Sequence, residues 1–258
     1  MSASTLLILA AVGLLAGFVD SIAGGGGLAT LPSLQLAGLD PVGAVATNKL
    51  ASTFGSGSAT FAFWRAKLID WPRMGPPAAL ALAGSVLGAL ALPYAPRAAL
   101  IGLMPPLLIA VALYFGLAPS LGTPAASKRR PLGVLAAIAL IGFYDGVFGP
   151  GAGSFYMIAL IRLGRFELLD SLAGARLANF GSNVGSLAVY ALGGHILVAA
   201  GLMMGLGNFV GAHIGAHTAL RAGARIIRPL IVIVACALAF KLLAQPDAPL
   251  RGWLSGGH

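Results

Sequence analysis

Apolar residues fill eight long stretches of this chain, near 5–38, 42–64, 75–95, 98–118, 131–162, 171–193, 195–218 and 226–244, with short polar connections between them. Crossing the hydrocarbon of a bilayer takes about 17–25 helical residues, and most of these stretches meet that length. The pattern predicts an all-α, polytopic helical membrane protein. Two stretches depart from it. Residues 5–38 and 131–162 are each about 33 residues long, more than one straight crossing needs. Each is expected to be interrupted at its centre, by Gly24, Gly25, Gly26 and Gly27 in the first and by Gly149-Pro150-Gly151 in the second. Pro32 is expected to add a further break. Each segment is then either one long broken helix or a re-entrant hairpin of two short ones.

The interruptions are copies of one another. Gly17-Phe18-Val19-Asp20 leading to Gly24 returns about 125 residues later as Gly142-Phe143-Tyr144-Asp145 leading to Gly149. Thr47-Asn48-Lys49-Leu50 is matched by Gly174-Ala175-Arg176-Leu177, and Gly84-Ser85-Val86-Leu87-Gly88 by Gly211-Ala212-His213-Ile214-Gly215. The chain thus divides into two pseudo-symmetric repeats, 1–118 and 131–245, with a linker at 119–130 and a C-terminal tail at 246–258. Each repeat has a broken or re-entrant first segment plus about three transmembrane helices. Positive charge orients them. If each first segment is a hairpin, Arg65, Lys67, Arg73, Lys128, Arg129, Arg130, Arg162, Arg165, Arg221, Arg225 and Arg228 fall on one side, and only Arg97, Lys241 and Arg251 on the other. With a single pass per segment they split almost evenly, so the positive-inside bias favours inverted repeats.

Composition agrees: 58% of residues are hydrophobic and 9% charged, against roughly 25% charged in soluble domains. Net charge is +9, from 16 Lys/Arg and 7 Asp/Glu. In a soluble chain that would suggest nucleic acid; here the cations sit in short connections and no basic-aromatic interleaving accompanies them, so no nucleic-acid partner is expected. Cys236 is alone, which leaves no disulfide framework and no thiolate metal site. The stretch 6–18 has the apolarity of a signal-peptide core but lacks a basic start and runs straight into the repeated motif, so it is expected to be retained. No sizeable soluble domain is expected, so an ATPase would have to come from another chain. No cofactor is expected; the expected partners are the lipid bilayer and a small solute, and a homo-oligomer stays open.

The repeated polar residues carry the candidate chemistry. A carboxylate and a glycine cluster inside apolar sequence are both costly, and opened backbone at membrane depth is tolerated only where it faces a cavity or finds partners. Asp20 and Asp145 stand one helical turn before their breaks, as caps of the broken helix ends or as coupling acids for a proton or cation. Helices restarting near Leu28 and Ser154 would aim their positive ends at such a cavity, favouring an anion held by Gly24, Gly25, Gly26, Gly27, Gly149, Gly151, Gly153 and Ser154. Lys49 and Arg176 occupy matched places and would supply positive charge to a bound anion, with hydrogen bonds from Thr47, Asn48, Asn179 and Asn183. Two intramembrane ion pairs, or cations snorkelling to an interface, are the structural alternatives. His213 and His217 have a metal-compatible spacing but no third ligand nearby, so packing or interfacial placement is expected there and no metal. Gly149-Pro150-Gly151-Ala152-Gly153-Ser154 lacks the lysine of a nucleotide loop. Ser56, in Gly55-Ser56-Gly57-Ser58, has no base at a suitable spacing for a hydrolase, so no enzyme is expected.

Gly17-Phe18-Val19-Asp20 running into the glycine cluster, then Leu31-Pro32, Gly38-Leu39, Pro41 and Ala46-Thr47-Asn48-Lys49, resembles the first repeat of the sulfite exporter TauE/SafE family of membrane permeases. The stretch from Gly142, with Arg176 to Asn183, resembles its second repeat more loosely. The resemblance implies a multi-pass permease of the bacterial inner membrane for sulfite, sulfoacetate or a related sulfonate. With the residues above, it leads to a secondary transporter working by alternating access, with Asp20 and Asp145 available for proton coupling. A passive anion channel is the rival, and an intramembrane hydrolase a weaker one.

Overall fold

The computed structural model describes residues 1–94, 131–223 and Arg225. The apolar stretches 98–118 and 226–244, the linker, the tail, Cys236 and the basic run at 128–130 lie outside the described residues. Eight α-helices make up the described chain: α1 (Ala3–Ala23), α2 (Gly27–Leu36), α3 (Pro41–Arg65), α4 (Trp71–Ala91), α5 (Pro131–Val147), α6 (Ala152–Arg162), α7 (Leu168–Leu192) and α8 (Val198–Ala222), with a 3-10 turn Leu92–Tyr94 after α4. No strand occurs among the described residues.

Local chemistry sets the ends. Ser2 caps α1 by accepting the Thr5 N–H, and Asp40 caps α3 by accepting the N–H groups of Val42 and Gly43. Pro41 opens α3, where a missing N–H costs nothing. Gly24 closes α1 in the left-handed region (φ 85°), and its N–H donates to Asp20 O at 2.8 Å. In the second break Gly149 (φ 100°) and Gly151 (φ 79°) take the same region. Two expectations are corrected. The breaks are not central: 21 residues precede the first and 10 follow it, and 17 and 11 flank the second. Pro32 does not break the chain again; it sits inside α2, whose Leu28, Leu31 and Leu34 are buried and hold that short helix against the rest of the bundle.

Three helical stretches, Ala3–Ala23, Trp71–Tyr94 and Val198–Ala222, are long and apolar enough to cross a membrane. α3 and α7 are as long, 25 residues each, but their inward faces carry polar and charged groups. The described bundle is inside out relative to a soluble domain. Leu15 is 67% exposed and Leu140 71%, whereas Lys49, Asp145 and Arg176 are buried. That distribution suits lipid outside and a polar site within.

Packing is reciprocal. α1 lies along α8 and α4 along α5, α3 packs on α8 and α4 on α7, and α3 meets α7. Small residues permit these approaches. A Cβ added at Gly207 or Gly211 would stand 1.9 Å from the carbonyl oxygens of Ala10 and Leu14, and one at Gly88 or Gly146 would stand 2.1 Å from those of Phe143 and Ser85. Gly84, Gly88, Gly211 and Gly215 are therefore packing glycines. Contacts climb in step along α1 and α8 (Ala10 with Gly207, Leu14 with Gly211, Phe18 with Gly215), so these helices run parallel. The same holds for α3 with α8, through Leu50 with Gly201 and Phe54 with Gly205. It holds again for α4 with α5, through Ala81 with Gly142 and Ser85 with Gly146.

Candidate functional site

The two breaks touch. A Cβ on Gly24 would stand 2.3 Å from Ser154 N, and one on Gly27 3.3 Å from Pro150 Cα. Ser154 Oγ donates to Ala23 O at 2.6 Å, stitching the start of α6 to the end of α1. Beside this crossing lies a cavity lined by Asp20, Asn48, Lys49, Asp145, Asn179 and Asn183, together with Ser52 and the glycines Gly24, Gly27, Gly149, Gly151 and Gly153. Its free space is ≈ 20 Å³, room for about one water molecule. An oxyanion of four or more heavy atoms does not fit this conformation.

Both cations are inside and both are paired, Lys49 with Asp145 and Arg176 with Asp20. Lys49 Nζ of α3 donates to Asp145 Oδ1 of α5 at 2.7 Å, with the side chains 1% and 3% exposed. Arg176 Nη1 of α7 donates to Asp20 Oδ2 of α1 at 2.8 Å, with exposures of 0% and 21%. Snorkelling is thereby excluded for both cations. The four formal charges cancel, so any anion entering alone would add uncompensated charge to a low-dielectric interior.

The two pairs differ in what else holds them. Asp20 Oδ1 accepts the Gly26 N–H at 2.9 Å, so this acid is a cap of the break and an ion-pair partner at once. Asp145 binds no backbone N–H in the described structure; its second oxygen accepts a short bond from Ser182 Oγ. Lys49 also reaches Asn183 Oδ1 at 3.4 Å, and Asn183 Nδ2 donates to Asn179 Oδ1 at 2.7 Å. Arg176 leaves Nε and Nη2 without a hydrogen-bond partner. It does not line the cavity; a Cβ on Gly153 would stand 2.2 Å from its Nη2 and 3.0 Å from Gly24 Cα. The guanidinium is held behind the glycine crossing.

Of the residues singled out from sequence, the cavity brings together Gly24, Gly27, Asn48, Lys49, Gly149, Gly151, Gly153, Asn179, Asn183, Asp20 and Asp145. Five lie outside it. Gly25 O accepts the Leu28 N–H and Gly26 packs on Asp20 Cβ, both serving the start of α2. Ser154 and Arg176 stand at the crossing, as described. Thr47 is occupied elsewhere, its hydroxyl accepting the Leu197 N–H at 3.0 Å where α8 begins. Sequence reasoning missed Ser52 and Ser182, whose only signal was a polar residue on the same helix as Lys49 or Arg176. It also missed Asn208, a lone amide in an apolar run whose Nδ2 donates to Ala51 O at 3.2 Å. Ser56 donates to Ser52 O and accepts from Asn183, and no acid or imidazole among the described residues is bonded to it. The His213 and His217 rings lie 4.3 Å apart, and no group of three or more metal-binding side chains occurs among the described residues.

Apolar faces outside and a charge-balanced cavity at two crossing helix breaks define a helical membrane protein with an internal polar site. The chain belongs to the sulfite exporter TauE/SafE family of membrane transporters, whose sequence profile matches residues 9–242. It is 48% identical over 255 residues to "Probable membrane transporter protein ORF9" of Sinorhizobium sp, covering 98% of this chain and 97% of that one. It is 44% identical over 239 residues to "Probable membrane transporter protein YfcA" of Escherichia coli K12 (92% and 88%). It is 37% identical over 251 residues to a "Probable membrane transporter protein" of Haemophilus influenzae (96% and 96%). No solved structure matches the chain.

Proposed function

We propose that this chain is a secondary transporter that moves a small sulfur-containing oxyanion or sulfonate across the bacterial inner membrane by alternating access, linked to protons through a buried acid. The observation that carries the proposal is the cavity at the crossing of the breaks, where Lys49 stands among the amides of Asn48, Asn179 and Asn183 and the glycines of both breaks while its charge is balanced by Asp145. Sulfite, sulfoacetate and related sulfonates match the chemistry of one cation and several neutral ligands from Asn48, Ser52, Asn179 and Asn183, once the site opens beyond its present volume. The small volume of the cavity favours an occluded transporter over an open anion channel.

The two halves are read as inverted repeats. α1, α3 and α8 run in one sense, and α4 with α5 in step with each other. Residues 66–70 cannot span the ~37 Å length of α3, so α4 turns back against it. On this reading α1 and α5 point in opposite directions, and α2 and α6 are re-entrant returns. Opening to either side would rock one set of helices against the other about the glycine crossing.

Flux measured in vesicles reconstituted with the full chain tests the reading. Sulfite, sulfoacetate, methanesulfonate and a control carboxylate are offered to the wild type and to Lys49→Gln. Saturable uptake of a sulfur anion by the wild type, reduced at least tenfold in Lys49→Gln, is expected. Equal flux in both, or none in the wild type, would reject it.

A further inference from the structure

We propose that Asp145, and not its counterpart Asp20, carries the coupled proton, exchanging its hold on Lys49 for that proton as the anion arrives. This rests on the transporter reading above and says which of two matched acids does the coupling.

Three observations separate the acids. The first is which cation meets the cavity. Lys49 lines it, whereas Arg176 sits behind Gly24 and Gly153. An anion entering the cavity therefore competes with Asp145 for Lys49, and leaves the Asp20–Arg176 pair intact.

The second is what each carboxylate keeps when challenged. Asp20 retains Arg176, the Gly26 N–H and partial exposure whether or not the site is loaded, so its negative charge keeps its compensation. Asp145 is 3% exposed and, without Lys49, keeps only the Ser182 hydroxyl among the described residues. A carboxylate stranded that way at membrane depth takes a proton, because desolvation disfavours its charged form.

The third is the surrounding cast. From α3 comes Lys49; from α7 come Ser182, Asn183 and the Tyr190 phenol, which donates to Gly146 O at 2.6 Å. α6 brings Tyr156 and α5 itself Tyr144, while α4 brings Ser85, whose hydroxyl donates to Ser182 O. Apart from Lys49 these groups are neutral, so a proton on Asp145 is what restores the charge balance.

The step balances. One proton bonds to an Asp145 carboxylate oxygen, the Lys49 ammonium passes from that carboxylate to the anion, and both reverse on release at the far side. Anion and proton travel together, and a monovalent anion moves without net charge. Lysine suits this exchange because its flexible stem carries a compact charge; an arginine wedged by Gly153 does not.

The experiment uses vesicles holding the wild type, Asp145→Asn or Asp20→Asn, loaded with methanesulfonate (permanently monovalent) or sulfite. A one-unit inward proton gradient is expected to concentrate methanesulfonate about tenfold in the wild type, since one-to-one linkage equates the two gradients. Asp145→Asn should exchange labelled anion across the membrane yet accumulate none, while Asp20→Asn should reach about the same tenfold ratio at a reduced rate. Gradient-driven accumulation surviving in Asp145→Asn, or lost in Asp20→Asn alone, overturns the assignment. So does wild-type flux indifferent to the gradient. A wild type that moves neither anion sinks the transporter reading, and this inference with it. If Asp145→Asn fails to reach the membrane, infrared difference spectra of the other two proteins decide. Methanesulfonate should raise a protonated-carboxyl band in both, and its absence from either overturns the proposal.

Discussion

Removing one partner of the Asp20–Arg176 pair should cost very different amounts depending on which is removed. Arg176 is fully buried, and its Nε and Nη2 already lack partners, so Asp20→Ala leaves a guanidinium with nothing to balance it. Stranding a buried charge costs about 3–5 kcal/mol, and the lost Gly26 contact adds about 1 kcal/mol. Arg176→Met is milder. The carboxylate left behind keeps the Gly26 N–H and partial exposure, so the loss is about 1.5–3 kcal/mol, the worth of a hydrogen bond to a charged group. The double variant strands nothing and should be more stable than Asp20→Ala alone by about 2 kcal/mol, some thirtyfold in the folded ratio. Reversible unfolding in mixed detergent micelles, followed by tryptophan fluorescence, measures all three. An Asp20→Ala protein no less stable than the double variant would refute the reasoning. It would mean that the guanidinium finds water or another acceptor.

Three further outcomes are expected. Gly153→Ala should destabilise by about 1–3 kcal/mol through overpacking against Arg176 and Gly24 and should abolish flux, whereas Gly38→Ala, whose Cβ meets nothing, should cost only about 1 kcal/mol of backbone strain and spare flux. Micelle unfolding and vesicle uptake check both. Thr47→Val should cost about 1 kcal/mol by uncapping the start of α8 and leave the order of preferred anions unchanged in competition assays. In a Cys236→Ser background, Lys67→Cys and His195→Cys should react with an impermeant maleimide from opposite faces of the membrane; labelling from one face would reject the inverted arrangement.

Much of this site was legible because its parts are expensive. A carboxylate, a cation and a glycine cluster recurring in apolar sequence have few cheap explanations, and Asp20, Lys49, Asp145 and both breaks do converge. Partnership was not legible. Nothing in the spacing says that Lys49 pairs with Asp145 rather than with Asp20, because that follows from how the helices pack and not from position along the chain. Arg176 occupies the place matching Lys49, yet Gly153 and Gly24 screen it from the cavity. Thr47 looked like a ligand because it precedes Asn48, but on a helix adjacent residues point about 100° apart, and its face meets α8. Pro32 reads as a further break after Gly27, yet it stands inside a helix that burial of Leu31 and Leu34 sustains.

The parallel seat of α1 on α8 bears on how the protein is made. Translation delivers about 5–20 residues per second, so Gly13 and Gly17 wait roughly 10–40 s for Met204 and Asn208 to leave the ribosome. During that interval α1 has left the aqueous tunnel and has not yet gained α8, so an insertase or lipid must shelter its glycine face. Biogenesis of this chain is therefore committed late, and a product truncated before residue 198 leaves the face of α1 that seats α8 uncovered.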